Sequence, residues 1–347
     1  MTHAAPSQQL RSASGEPRVT VVAVLGTGSS GTRYLNELER LSKLTAVEAI
    51  AVPIRTERYE ALRREGKAVA HTLEEATAHG ATRCIVATDT GRHAADVREA
   101  LGLGMEVLVE KPMASTAEEA AELQQLADRA TRLLYVGCVL RFSTSLNTFG
   151  HELHRLGRLH SVQIVCQSYL PDWRPQRPYQ DAYSARASEG GVLRDLIHEV
   201  DYAGWLFGWP AAVQARLRNL GRLGIEAEEL AEVNWVSPAG ASVSLTLDYL
   251  TRPPRRQVIA CGEQGTLVWD GIARTVMVDG ASLPVPSQED DNLFIAQAQA
   301  FLRACDPQLT TRDSRLATAE DGVKALAVCD AARRASVSRR EETVVFP

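Results

Sequence analysis

Between residues 19 and 138, two kinds of pattern alternate along the chain. Short, nearly continuous apolar runs fall at 19–25, 46–52, 83–88, 106–110 and 133–138. Between them, at 31–43, 56–65, 73–79, 92–101 and 116–130, apolar positions recur at helical spacing. A strand that is apolar on both sides is buried on both faces, so this half predicts a parallel sheet covered by helices above and below. Ser115-Thr116-Ala117-Glu118 reads as a capped helix start.

After residue 138 the rhythm changes. A helix at 146–156 leads to a strand at 162–170, a polar, proline-rich loop at 171–187 and a long helix at 190–206. Strands separated by glycine turns follow at 212–217, 230–235, 241–249, 257–261, 266–270 and 275–278, which predicts an antiparallel meander. Helices at 293–305 and 319–335 close the chain, and no internal repeat is visible. The expected organisation is an α/β nucleotide-binding domain over 18–138 and an α+β domain over 139–347, built on a large, open-faced, mainly antiparallel sheet. Residues 1–17 are small and polar, without the apolar core of a secretion signal, and are expected to form a disordered tail. A large sheet with one free face covers a ligand or meets a copy of itself, so a homodimer or homotetramer is expected.

Candidate chemistry begins at Gly26-Thr27-Gly28-Ser29-Ser30-Gly31, directly after the first strand. A glycine-spaced turn between a buried strand and a helix suits a dinucleotide pyrophosphate. Gly26 makes the turn, Gly28 lets the backbone approach the phosphates, and Gly31 lets the helix pack on the strand. Ser29 and Ser30 open the helix whose N-terminus attracts the anion. The acid that grips the ribose diol in NAD enzymes is expected at the end of the second strand. The residues there are Ala51-Val52-Pro53-Ile54-Arg55-Thr56, and no carboxylate appears until Glu57. Arg55 and Thr56 suit a 2′-phosphate, so NADP(H) is expected in preference to NAD(H). Thr88, Thr90, His93, Glu110 and Lys111, near the ends of the third and fourth strands, complete the expected cofactor contacts.

Glu110-Lys111-Pro112 ends the fourth strand, where the ligand crevice of an open α/β sheet lies. An ammonium there can donate to a substrate oxygen, although a surface lysine after a strand would look the same. The third motif is Gly190-Gly191-Val192-Leu193-Arg194-Asp195-Leu196-Ile197-His198. On a continuous helix Asp195 and His198 share a face, so the carboxylate can orient the imidazole. A histidine satisfied by its carboxylate neighbours would give the same pattern.

The three motifs in this order resemble the glucose–fructose oxidoreductase / inositol dehydrogenase / MocA family, from about residue 18 to the end. The resemblance implies a Rossmann domain, a second domain with an open sheet, and NAD(P)-dependent redox at a sugar or cyclitol hydroxyl carbon. It also implies catalytic roles for Lys111, His198 and Asp195. Three features depart from the family pattern. Asp195 and His198 are three apart where many members have four. Thr88-Asp89-Thr90 replaces Thr-Pro, and Tyr34 stands where a histidine is frequent. The stretches 169–175 and 183–186, before Gly190-Gly191, are similar to a subgroup associated with surface-sugar or nucleotide-sugar metabolism. A loop rich in Trp, Tyr, Arg and Asp offers a polyol a stacking platform and hydrogen bonds. Arg141, Trp173, Arg174, Tyr183 and Arg186 are therefore candidate substrate contacts, and Arg174, Arg177 or Arg186 could meet a phosphate or carboxylate. The same fold also admits transient oxidation on a tightly held cofactor, for elimination, glycoside cleavage or epimerisation, and non-catalytic binding.

Composition narrows the partners. The chain has 347 residues, 45% of them apolar and 23% charged, with a net charge of −5, so it presents no general basic field for nucleic acid. The basic clusters at 252–256 and 333–340 read as solvated surface. Six cysteines without a Cys-x-x-Cys pair suit buried thiols in a reducing cytoplasm, and no zinc site is expected. His151 and His154 share a helix face but have no evident third ligand, so no metal is expected. No apolar run is long enough to span a membrane.

Overall fold

The computed structural model describes residues 19–176, 178–286, 293–309 and 311–347. The expected N-terminal tail and Arg177 lie outside the described residues.

The first half forms the alternating pattern its apolar runs predict. Strands β1 (Thr20–Leu25), β2 (Val47–Val52), β3 (Ala81–Val86), β4 (Glu106–Glu110) and β5 (Leu134–Gly137) are all parallel. Helices α1 (Ser29–Ser42), α2 (Thr56–Arg64), α3 (Leu73–Ala78), α4 (Thr90–Gly102) and α5 (Ala117–Ala130) connect them. The helix start read at Ser115 falls one residue later. Thr116 is the N-cap and accepts from the Glu119 amide, while Glu119 accepts from the Ser115 amide. The strand order β5-β4-β3-β1-β2 reverses direction between β1 and β3, so their carboxyl ends open a crevice.

The second half contains α6 (Thr144–Glu152), β6 (Leu159–Gln167), α7 (Val192–Asp195) and α8 (Ile197–Phe207). Strands β7 (Ala212–Arg218), β8 (Leu230–Val236), β9 (Ser242–Asp248), β10 (Arg255–Gly262), β11 (Gly265–Asp270), β12 (Thr275–Val278) and β13 (Ala281–Ser282) follow. The sheet is mainly antiparallel, but it is not a meander. β6 lies between β9 and β10, parallel to β9 and antiparallel to β10. β6 comes before the repeated strands in sequence, so local alternation could not show where it inserts.

The remaining elements return to the first sheet. They are α9 (Leu293–Ala304), β14 (Ala317–Thr318), α10 (Ala319–Ser338) and β15 (Glu342–Thr343). β14 pairs antiparallel with β5, α9 packs on α1, and α10 packs on α5 and β7. A capping box at Thr318 and Asp321 fixes the start of α10. One apolar cluster runs from β3, β4 and β5 through α8 into β8, β9 and α10, so the two sheets share a core.

Candidate active site

The glycine turn after β1 is built by close approach. Gly26 has φ +86°, and a Cβ on Gly31 would sit 1.9 Å from the Gly26 carbonyl oxygen. Neither residue faces the cleft; both let the turn fold tightly enough to present Gly28. A Cβ on Gly28 would meet nothing within 4 Å, and Gly28, Ser29 and Ser30 line a cleft of about 710 Å³. Gly28 is the N-cap of α1 and has no side-chain cap, and the first turn of α1 carries no acid. Uncapped amides and the positive end of the helix thus face open space that fits a pyrophosphate.

Arg55, the N-cap of α2, lines the same cleft, whereas Thr56 does not. Thr88 and Thr90 line it from the turn after β3. Thr88 also donates to Asp96 at 2.6 Å. His93 borders the cleft with each ring nitrogen facing a main-chain carbonyl, Nδ1 at 2.7 Å from that of Pro112 and Nε2 at 3.0 Å from that of Thr88, and the neutral ring donates to one of the two. The imidazole therefore braces the turn after β3 against the turn after β4, and no free nitrogen is left for the direct cofactor contact expected of it. Burial holds its pKa below the ordinary value. Glu110 lies at the cleft wall and accepts from the Tyr34 hydroxyl at 3.0 Å; burial raises its pKa.

Lys111 and Asp195 meet across the two domains. Lys111 Nζ donates to the Asp195 main-chain carbonyl at 2.7 Å and lies 3.6 Å from Asp195 Oδ1. Asp195 Oδ1 accepts from the Tyr183 hydroxyl at 2.5 Å, and Oδ2 accepts from Ser184 at 2.6 Å and Tyr249 at 3.0 Å. Gly190 permits this cluster, because a Cβ there would lie 2.1 Å from the Tyr183 carbonyl oxygen. The helix expected over 190–206 breaks at Leu196, between α7 and α8. In a continuous helix the Asp195 carbonyl would accept from the Glu199 amide. Here Glu199 bonds to Leu196 at 3.2 Å, and the Asp195 carbonyl takes the lysine.

His198 lines the cleft from the first turn of α8. Its Nδ1 is buried without a hydrogen-bond partner. Burial, reinforced by the positive charges of Lys111 and Arg256, holds its pKa well below the ordinary value. The site thus pairs a lysine amine, fixed by a carbonyl and a carboxylate, with an imidazole that stays neutral at neutral pH. Together they can polarise an oxygen and exchange a proton.

Trp173, Arg174 and Tyr183 line the second-domain wall. Two expected substrate contacts are corrected. Arg141 is fully buried away from the cleft. Its Nε and Nη2 bond Asp201 at 3.0 and 2.7 Å, and Nη1 bonds Asp321 at 3.2 Å, so it ties α8 to α10. Arg186 is exposed and pairs with Glu189, outside the cleft lining. Conversely, Arg255 and Arg256, read as solvated surface, line the cleft, and Arg256 pairs with buried Glu199 at 2.8 Å. Tyr249, which helps to hold Asp195, carried no sequence signal, and Ser184 stood out only as part of the 183–186 stretch, because the partner of each lies in another element.

Comparison with known proteins agrees with this architecture. Residues 20–138 match the model of the oxidoreductase family with the NAD-binding Rossmann fold, and residues 152–268 match the GFO/IDH/MocA C-terminal domain. The chain is 32% identical over 207 residues to scyllo-inositol 2-dehydrogenase (NADP(+)) IolW of Bacillus subtilis, covering 56% of this chain and 54% of that protein. It is 28% identical over 188 residues to the rhizopine catabolism protein MocA of Rhizobium meliloti, covering 54% and 57%. The chain thus spans about half the length of the curated relatives it matches. Among solved structures it is similar in fold to the WlbA dehydrogenase of Bordetella pertussis in complex with NADH and UDP-GlcNAcA. The TM-score is 0.79 at 20% identity, covering 95% of this chain and 99% of that one. GenD2 from gentamicin A biosynthesis, in complex with NAD, gives 0.78 at 21% identity, covering 99% and 100%. With both domain models matched in order, the chain belongs to the GFO/IDH/MocA family of oxidoreductases with an NAD-binding Rossmann fold.

Proposed function

We propose that this protein is an NADP(H)-preferring oxidoreductase that interconverts a secondary alcohol and a ketone on a sugar, cyclitol or nucleotide-sugar. The observation that carries this reading is the convergence of Lys111, from the end of β4, and His198, from α8, on the cleft lined by Gly28 and Ser29. The nicotinamide cofactor, when bound, supplies the hydride acceptor or donor. Gly28, Ser29 and Ser30 hold its pyrophosphate by main-chain amides. Arg55 receives the 2′-phosphate, a reading supported by the absence of a carboxylate from the cleft at the end of β2.

Lys111 polarises the substrate oxygen. Asp195 sets the position of the lysine through its carbonyl and carboxylate. His198, held neutral, accepts the hydroxyl proton during oxidation and returns one during reduction. Trp173 presents an aromatic platform for a sugar ring, with its indole N–H fixed on Ser168 at 2.9 Å. All six cysteines are unpaired, which supports a reducing compartment such as the cytoplasm. No helix among the described residues is long and apolar enough to cross a membrane. The broad second sheet supports self-association as a homodimer or homotetramer, which sedimentation velocity would measure.

The direct test is a fluorescence titration with NADPH and NADH, followed by a panel of polyols, keto-sugars and nucleotide-sugars monitored at the nicotinamide absorbance. Tight NADPH binding and turnover of at least one such compound are expected. Failure to bind either nucleotide would refute the assignment.

A further inference from the structure

We infer that the sugar handled by this site carries an oxyanion, a carboxylate or a phosphate, held by Arg174 and Arg255. This rests on the oxidoreductase reading above and narrows its substrate class. Among the described residues the cleft is lined by five cations, Arg55, Lys111, Arg174, Arg255 and Arg256, and by three acids, Asp89, Glu110 and Asp195.

Most of these charges have partners. Asp195 is engaged by three hydroxyls and Lys111. Arg256 pairs with Glu199. Glu110 is buried and bonded to Tyr34, with its pKa raised. Asp89 and Arg55 stand on the nucleotide side, after β3 and β2. Arg174 and Arg255 remain on the second-domain side, and neither guanidinium forms a hydrogen bond or ion pair among the described residues. Neighbouring arginines do find acids, with Arg252 closing on Asp172 at 3.1 Å and Arg186 on Glu189.

The two free groups are placed beside the chemistry. Arg174 follows the fixed Trp173 and lies close enough to Tyr183 to act on its hydroxyl electrostatically. Arg255 opens β10 opposite Gln167, and both residues line the cleft. A neutral polyol needs neither guanidinium, whereas a carboxylate or phosphate is the natural partner of a planar fork of N–H donors. Space also continues past Arg255. Pro254, Arg255 and Ile272 border a second cavity of about 260 Å³, which gives room for a group beyond the reacting ring.

The test compares D-glucose, D-glucuronate, glucose 1-phosphate and UDP-glucose by calorimetry on the NADPH-loaded full-length protein. The proteins are the wild type, Arg174→Gln, Arg255→Gln and the double variant. At least one charged sugar is expected to bind roughly tenfold or more tightly than D-glucose. The preference should fall in high salt and vanish in the double variant. Preference for glucuronate alone identifies a carboxylate on the ring, and preference for the phosphate-bearing sugars identifies a phosphate. An equal response to charged and neutral sugars, or discrimination that survives the double substitution, overturns the inference. Arginine-dependent binding without nicotinamide turnover of any sugar would instead overturn the oxidoreductase reading and leave the anion site standing.

Discussion

Lys111 Nζ occupies the main-chain carbonyl of Asp195 at 2.7 Å, the acceptor that an unbroken helix would have given to Glu199. The lysine therefore does two things. It brings an amine to the cleft, and it stabilises the interruption that turns α8 and His198 toward it. Lys111→Ala is expected to lower turnover about a hundredfold or more. Nicotinamide affinity should stay near that of the wild type, because the amine faces the reacting end of the site. Steady-state rates set beside a fluorescence titration check this, and turnover within a few-fold of wild type would exclude Lys111 from the chemistry.

Arg55 is the exposed N-cap of α2, and its guanidinium forms no hydrogen bond or ion pair among the described residues. Arg55→Glu is expected to weaken NADPH by roughly tenfold to a hundredfold and to leave NADH little changed or improved. Titration of both proteins with both nucleotides measures the change. A wild type that already binds NADH more tightly would remove the basis for the 2′-phosphate role.

His198 also predicts a pH effect on stability. Burial and two positive neighbours hold its pKa well below the ordinary value. Above the unfolded value, about 6.5, both states are neutral and the group contributes no pH dependence. As pH falls below that value the unfolded chain takes up the proton first, so stability declines until the native group also titrates. Buried His93 acts in the same direction. His198→Asn should therefore reduce, without abolishing, the fall in Tm between about pH 7.5 and about pH 5.5. An unchanged fall would show that the native imidazole is not held neutral.

Arg141 is a structural tie. It satisfies buried Asp201 with two hydrogen bonds, and its third contact, Asp321, belongs to the capping box of α10. Arg141→Leu leaves Asp201 uncompensated and is expected to cost about 3–5 kcal/mol in a denaturant titration. Adding Asp201→Asn should recover part of the loss, because an amide is cheaper to bury alone than a carboxylate. A loss below about 1 kcal/mol would mean that the buried pair contributes little.

Features set by near neighbours in the chain were legible in the sequence. The five parallel strands followed from apolar runs, and the phosphate turn followed from glycine spacing. Gly31 must be small because its own turn passes within contact of it. Features set by distant partners were not legible. Leu196 ends a helix where a lysine from the other domain takes the preceding carbonyl, and nothing in residues 190–201 records that lysine. Arg141 and Arg256 show the same limit in opposite directions. The sequence offered no acid beside either arginine, so Arg141 was placed near the cleft and Arg256 in solvent. Asp201 and Glu199, which fix both arginines, lie on α8.

The pairing of Ala317–Thr318 with β5 has a consequence for biogenesis. One edge strand of the nucleotide-binding layer follows the whole of the second sheet's β6–β13 in chain order. During synthesis the ribosome thus delivers the glycine turn after β1 well before β14, and that border of the sheet stays open until Ala317 and Thr318 have emerged. Nascent chains should gain full nucleotide affinity late and in one step, when that border closes.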